Sequence, residues 1–260
     1  MKIVRKLSSF SFRIICTLVL SMSYPKFKQA EVHAEPLGVE HRVLITGFYD
    51  WKGLGDPPET KRCRDNPSCR VLAKEGLGER GFTGILAVKL QALFRLNPSV
   101  SISFKLLPVT WESLGSVERD RYHTTIHLGL GVYDSFHKIL IEEGAFNYQR
   151  GVDAIGKRID RRISSKQTEI LQVSPLIQQG IERALKTKLP DPFTIVRAKA
   201  RKDNTYLCNA TYYETLEFIS RTKRELTDEA YFIHIPHSEE ESDEALASAL
   251  LEVIKQLINR

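Results

Sequence analysis

The sequence predicts one domain built as a three-layer α/β/α sandwich around a twisted, mostly parallel sheet. Two observations carry this: short β-branched or apolar runs alternate with stretches of helical period, and most of those runs end in turn-forming residues. A chain of 260 residues is also long enough for one substantial core.

The elements follow in order. "HRVLITGF" (41–48) reads as a buried strand ending in a turn. Residues 53–80, rich in Gly, Pro and charge, read as a long loop. "TGILAVKLQALFRL" has Leu86, Leu90 and Leu93 at helical spacing, with Ile85, Val88 and Phe94 widening the apolar face. "VSISFKLLPV" (100–109) and "TTIHLGLG" (124–131) read as strands, the second closing on glycines. Ser174-Pro175 opens a helix to about Leu185, with proline in its first turn. "FTIVRAKA" (193–200) reads as strand, "CNATYYETLEFISRT" as helix and "YFIHIP" (231–236) as strand. "DEALASALLEVIKQLI" closes the chain as an amphipathic helix, with Asp243 and Glu244 at its dipole-positive end.

The first 34 residues stand apart. Lys2, Arg5, Lys6, Arg13, Lys26 and Lys28 precede or flank an apolar run from Ile14 to about Met22, and small residues follow. That is the order of a signal peptide, with cleavage near Ala30 or Ala34, and the run is well short of the ~20 residues that span a bilayer. The expectation is an exported protein, periplasmic or secreted, with residues 35–260 as the mature domain and no stable membrane insertion. Without the six leader cations, 32 basic residues face 32 acidic ones. The formal charge of +6 therefore gives no reason to expect a nucleic-acid partner. "KRIDRR" (157–162), "RAKARK" (197–202) and the acidic "HSEEESDE" (237–244) read as solvated segments.

Three cysteines remain after cleavage, so at least one is unpaired within a monomer. Cys63 and Cys69, in "CRDNPSC", are near enough to form a disulfide, leaving Cys208. At the start of its helix Cys208 would feel the positive dipole end, which lowers a thiol pKa. The residues alone leave an inert buried thiol open, as they leave His234 open as structural and Glu142 as a solvated acid.

Six segments in order give these residues another meaning: "VLITGF" near the start, "LPV" (107–109), "HLGL" (127–130), "IEEGAFN" (141–147), "YLCN" (206–209) and "FIHIP" (232–236). In these the chain resembles the pyroglutamyl peptidase I (pyrrolidone-carboxylate peptidase) family of cysteine peptidases, over roughly residues 42–260. The resemblance implies Cys208 as nucleophile, His234 as general base and acid, and Glu142 as the carboxylate orienting the imidazole. It implies N-terminally pyroglutamylated peptides as substrates, and neither cofactor nor metal. Phe48 and Trp51 in "GFYDWKG" take the aromatic positions of the family's turn and are implied to bind the lactam. Rival readings are a related hydrolase of another cyclic or blocked acyl amide, and a silent binding protein.

The chain departs from the family pattern at four places. Glu143 stands where arginine often follows the carboxylate, and is a second candidate for that role. Asp50 replaces a proline of the turn, Lys52 a glycine, and Asn204 the glycine before "TYLC". "NPS" (66–68) matches a family segment, but Asn66 lies 41 residues before Leu107, too far by spacing. Residues 53–80 are accordingly read as an insertion and Asn66 is assigned no site role.

Overall fold

The computed structural model describes residues 40–51, 63–73, 81–95, 97–132, 134–165, 168–225, 228–239 and 242–259. The expected leader and its expected cleavage site lie outside these residues. Among the described helices none is long and apolar enough to cross a membrane.

The central sheet has six strands. β1 (His41–Phe48) pairs in parallel with β2 (Val100–Leu107) on one side and with β3 (Thr124–Val132) on the other. β10 (Glu229–Pro236) pairs in parallel with β3. β4 (Lys138–Glu142) then runs antiparallel to β10 and parallel to the edge strand β9 (Thr194–Ala198). The order is β2-β1-β3-β10-β4-β9, with a single antiparallel pairing. β10 is buried along its whole length, as a continuous apolar run in a covered sheet should be.

Side-chain alternation sorts the helices into two layers. On β10, Phe232 faces Tyr212 of α4 (Leu207–Arg221), whereas Tyr231 points the other way, against Gly180 of α3 (Pro175–Leu185). With α3 lie α5 (Asp243–Ile258), α2 (Ile85–Phe94) and the four-residue α1 (Pro67–Arg70). Gly47 permits α1 this close: a Cβ there would stand 2.5 Å from the Ser68 carbonyl oxygen. The helix α2 turns differently from its sequence-based reading. Leu86, Ala87, Leu90 and Phe94 are buried, while Val88 and Leu93 face solvent.

The sequence reading missed a whole block. Between β4 and α3 lie β5 (Gly144–Phe146), β6 (Gln149–Val152), β7 (Arg158–Arg161) and β8 (Ile170–Gln172). They form two small antiparallel pairs, β5–β8 and β6–β7, on the α4 side. Asn209 ties this block to α4. Its Nδ2 donates to the Phe146 and Tyr148 carbonyls, and its Oδ1 accepts from the Phe146 N–H.

The segment 63–73 also differs from the loop expected there. Cys63 and Cys69 are joined by a disulfide with Cα atoms 5.1 Å apart, and both are buried. Asn66 caps α1, its Oδ1 accepting from the Ser68 N–H, and Pro67 takes the first helical position. Arg70 is buried and forms a two-pronged ion pair with Asp243, fastening α1 to the start of α5.

Candidate active site

The site forms where β1, β3 and β10 end, and the glycines of "HLGLG" make its floor. A Cβ at Gly129 would lie 2.9 Å from Cys208 Sγ, and one at Gly131 would lie 2.0 Å from His234 Nδ1. The two glycines share one face of β3, so the thiol and the imidazole sit above successive same-face positions. Larger residues at either place would displace one of them. Glu142 reaches the same imidazole from β4. Its neighbour Leu140 pairs in register with His234, which puts Glu142 two residues along the same face.

His234 Nε2–H donates to Glu142 Oε1 at 2.9 Å, with both side chains buried. That bond fixes the tautomer, leaving Nδ1 as the bare nitrogen. Nδ1 is buried without a hydrogen-bond partner among the described residues. An unsatisfied imidazole nitrogen beside the floor that carries the thiol is a proton acceptor held ready. Glu142 is held further by Asn204, whose Nδ2 donates to the same Oε1 at 3.2 Å. Glu143 does not share the role: it accepts from Arg197 Nη1 at 2.9 Å and from Gln178.

Cys208 is the second residue of α4, whose N-cap, Tyr206, offers no side-chain cap. The first-turn N–H groups therefore have no acceptor within the helix and are available to a substrate oxygen. The expected low thiol pKa is corrected, however. Burial pushes the Cys208 thiol up to about 12, the Glu142 carboxylate adds to the rise, and the residue's own backbone N–H pulls it back only in part. Desolvation outweighs the helix dipole, so Cys208 rests as a thiol, and any nucleophilic use of it requires loss of that proton.

Two cavities meet at Cys208. The smaller, about 160 Å³, is lined by Phe48, Tyr49, Trp51, Asn66 and Val109. The larger, about 500 Å³, contains His234, Glu142 and Asn204. Tyr206 stands on both, between Trp51 at 5.6 Å and Trp111 at 5.5 Å. Phe48 is buried on the smaller cavity and Trp51 is half exposed at its mouth.

Asn66, set aside on spacing, lines this cavity too. Spacing gave it no role, yet it lies on the segment 63–73 that carries α1 and borders the cavity. Asn66 Nδ2 donates to the Tyr49 carbonyl, and the Asp50 carboxylate accepts from the N–H groups of Arg64, Asp65 and Asn66. Asp50, which replaces the family's proline, thus binds the disulfide-closed segment to the aromatic turn. Sequence reasoning also gave no role to Trp111, Tyr206 or the Asn204 side chain. Trp111 and Tyr206 carried an aromatic signal, but nothing local shows which wall an aromatic will join.

The architecture has solved counterparts. The pyrrolidone carboxyl peptidase from Thermococcus litoralis is 19% identical, with 84% of this chain and 93% of that one covered at a TM-score of 0.54. Pyroglutamyl peptidase I from Bacillus amyloliquefaciens is 18% identical over 84% of this chain and 98% of that one, at 0.55. The pyrrolidone carboxyl peptidase of Fervidobacterium islandicum is 21% identical over 84% and 95%, at 0.53. The chain has the pyroglutamyl peptidase I fold. No protein-family model matches it, and no curated protein matches it in sequence.

Proposed function

We propose that the chain is an exported cysteine exopeptidase that removes N-terminal pyroglutamate from peptides. The observation that carries this reading is the placement of Cys208 between an aromatic cavity and a second cavity holding His234, with Nδ1 unsatisfied and Nε2 bound to Glu142. The likeness to peptidases of that specificity supports it.

In this reading the lactam enters the smaller cavity between Phe48 and Trp51. A pyroglutamyl ring is flat and carries no ammonium group. Apolar walls suit it and penalise a charged N-terminus through desolvation. Cys208 Sγ attacks the amide carbonyl as its proton passes to His234 Nδ1. The first-turn N–H groups of α4 receive the oxyanion, and Glu142 and Asn204 hold the imidazolium. Collapse breaks the C–N bond, and His234 returns the proton to the departing amine. Water, deprotonated by the same imidazole, then hydrolyses the thioester, and pyroglutamate leaves.

The test is hydrolysis of a pyroglutamyl-aminocoumarin by the mature protein under mild reductant, with Cys208→Ala alongside. Turnover by the wild type alone is expected. Silence in a folded wild-type protein with Cys208 confirmed reduced defeats the reading.

A further inference from the structure

The wall between the two cavities decides where the leaving peptide goes. His234 lines only the larger cavity, and it is the group that returns a proton to the departing amine. Resting on the peptidase reading, the peptide beyond the scissile bond therefore occupies the larger cavity.

One rim of that cavity is the end of β9 and the chain after it, where Arg197, Lys199 and Arg201 recur at alternate positions. Their electrostatic states differ. Arg197 is occupied by Glu143 at 2.9 Å and Glu182 at 2.7 Å, and Lys186 adds positive charge beside Glu182. Lys199 is exposed and has no ion-pair or hydrogen-bond partner among the described residues. Among the described residues Arg201 ion-pairs only with Asp203, at 3.4 Å, with both side chains more than 70% exposed, and an ion pair that wet holds its cation weakly.

Few acids oppose these cations. Of the carboxylates lining the cavity, Glu142 is turned inward to His234 and Asn204, leaving Asp203 beside Arg201. None of the described residues of the acidic segment 237–244 lines the cavity, and Asp243 is taken up by Arg70. Among the described residues, no cation lines the smaller cavity. Charge is thus segregated, with an acyl side whose one lining charge is the Asp65 carboxylate and a leaving side whose uncompensated charge is positive.

We infer that Lys199 and Arg201 form a subsite for a carboxylate on the leaving peptide, making anionic pyroglutamyl peptides the preferred substrates. The carboxylate can be an acidic side chain just after the pyroglutamyl residue or the free C-terminus of a short peptide. Both present the same group to a flexible cation, and the substrates of the test separate them.

The experiment has two arms. In the first, kcat/KM is compared for pyroglutamyl-alanine amide, pyroglutamyl-alanine with a free carboxylate, and pyroglutamyl-glutamate α-amide. The charged substrates should be favoured roughly twofold to fivefold at low ionic strength, as expected for exposed charge pairs. The preference should vanish when salt cuts the screening length from ~30 Å to ~3 Å, and in the doubly substituted Lys199→Gln, Arg201→Gln protein. Whichever charged substrate shows the larger ratio identifies the source of the carboxylate.

The second arm needs no peptidase activity. The rate of Cys208 alkylation by anionic iodoacetate, divided by the rate with neutral iodoacetamide, should be higher in the wild type than in the double variant, and salt should erase the difference. If no peptide is cleaved, the peptidase reading fails while the alkylation ratio still reports the charge beside the thiol. Equal ratios in wild type and variant overturn the subsite.

Discussion

Two buried histidines stand on neighbouring strands of one sheet, and the chain uses them in opposite ways. His127, in the middle of β3, is bonded at both nitrogens. Thr215 gives its hydroxyl proton to the Thr211 carbonyl, so it accepts from His127 Nε2–H at 3.0 Å, while Thr46 donates to Nδ1 at 2.8 Å. Burial, with Arg119 adding, pulls the His127 pKa down to about 3 and keeps the ring neutral. His234, near the end of β10, has one nitrogen on a carboxylate and the other unsatisfied. Burial alone does not separate them, since both are under a tenth exposed. What separates them is whether every polar atom has found a partner, and chemistry is built where one has not.

The largest expected effect comes from exchanging these roles by mutation. His234→Ala should lower kcat/KM at least a thousandfold while costing less stability than His127→Ala, because the ring borders an open cavity from which water can reach Glu142. His127→Ala should do the reverse at the level of stability. It strands Thr46 and Thr215 in a packed interior and leaves a void, for a loss of about 2–5 kcal/mol. Denaturant melts and initial rates on the two variants decide the matter. Comparable stability losses in both would erase the distinction.

An effect of comparable size is expected from acid. The folded-state pKa of His127 is depressed from 6.5 to about 3, so below pH 6.5 the unfolded chain takes up a proton that the folded chain refuses. Stability is therefore fully present above pH 6.5 and is lost progressively as pH falls towards 3. At ~1.4 kcal/mol per unit the loss is about 4–5 kcal/mol. His127→Gln, with no titrating ring, should be less stable at neutral pH but flatter across this window. If its melts follow the wild-type pH dependence, the loss has another source.

The same contrast explains what could be read from the sequence. β1, β3 and β10 were legible because strands covered on both faces are long apolar runs. α3 and α5 were legible from Pro175 at the first turn and from Asp243 and Glu244 at the dipole-positive end. β4 was not, because its five residues, "KILIE", carry a charge at each end and take their place from β10 and β9. The proposed catalytic residues Cys208, His234 and Glu142 were named from the order of short segments. Neither the pairing of Nε2 with Glu142 nor the burial that holds Cys208 as a thiol follows from such order. Asn66 was lost for the complementary reason: spacing along the chain was used where a cap and a hydrogen bond to Tyr49 fixed the position.

Asn204 gives the smallest effect and the finest test of the contrast. Asn204 stands where the pattern the sequence resembles has glycine, and the sequence justifies that only as a tolerated turn residue. In the fold its amide spans 62 positions to reach Glu142 Oε1, the oxygen that also receives His234. A hydrogen bond to a charged acceptor contributes about 1.5–3 kcal/mol, and much of it should be felt when His234 becomes an imidazolium. Asn204→Ala should therefore lower kcat roughly tenfold and change KM much less, since the side chain is absent from the aromatic cavity and, in the larger one, is engaged with Glu142. It should also shift the acid limb of the pH–rate profile, which a purely structural role would not move. A rise in KM with kcat intact would mean that Asn204 shapes the cavity instead, and that Glu142 alone positions the imidazole.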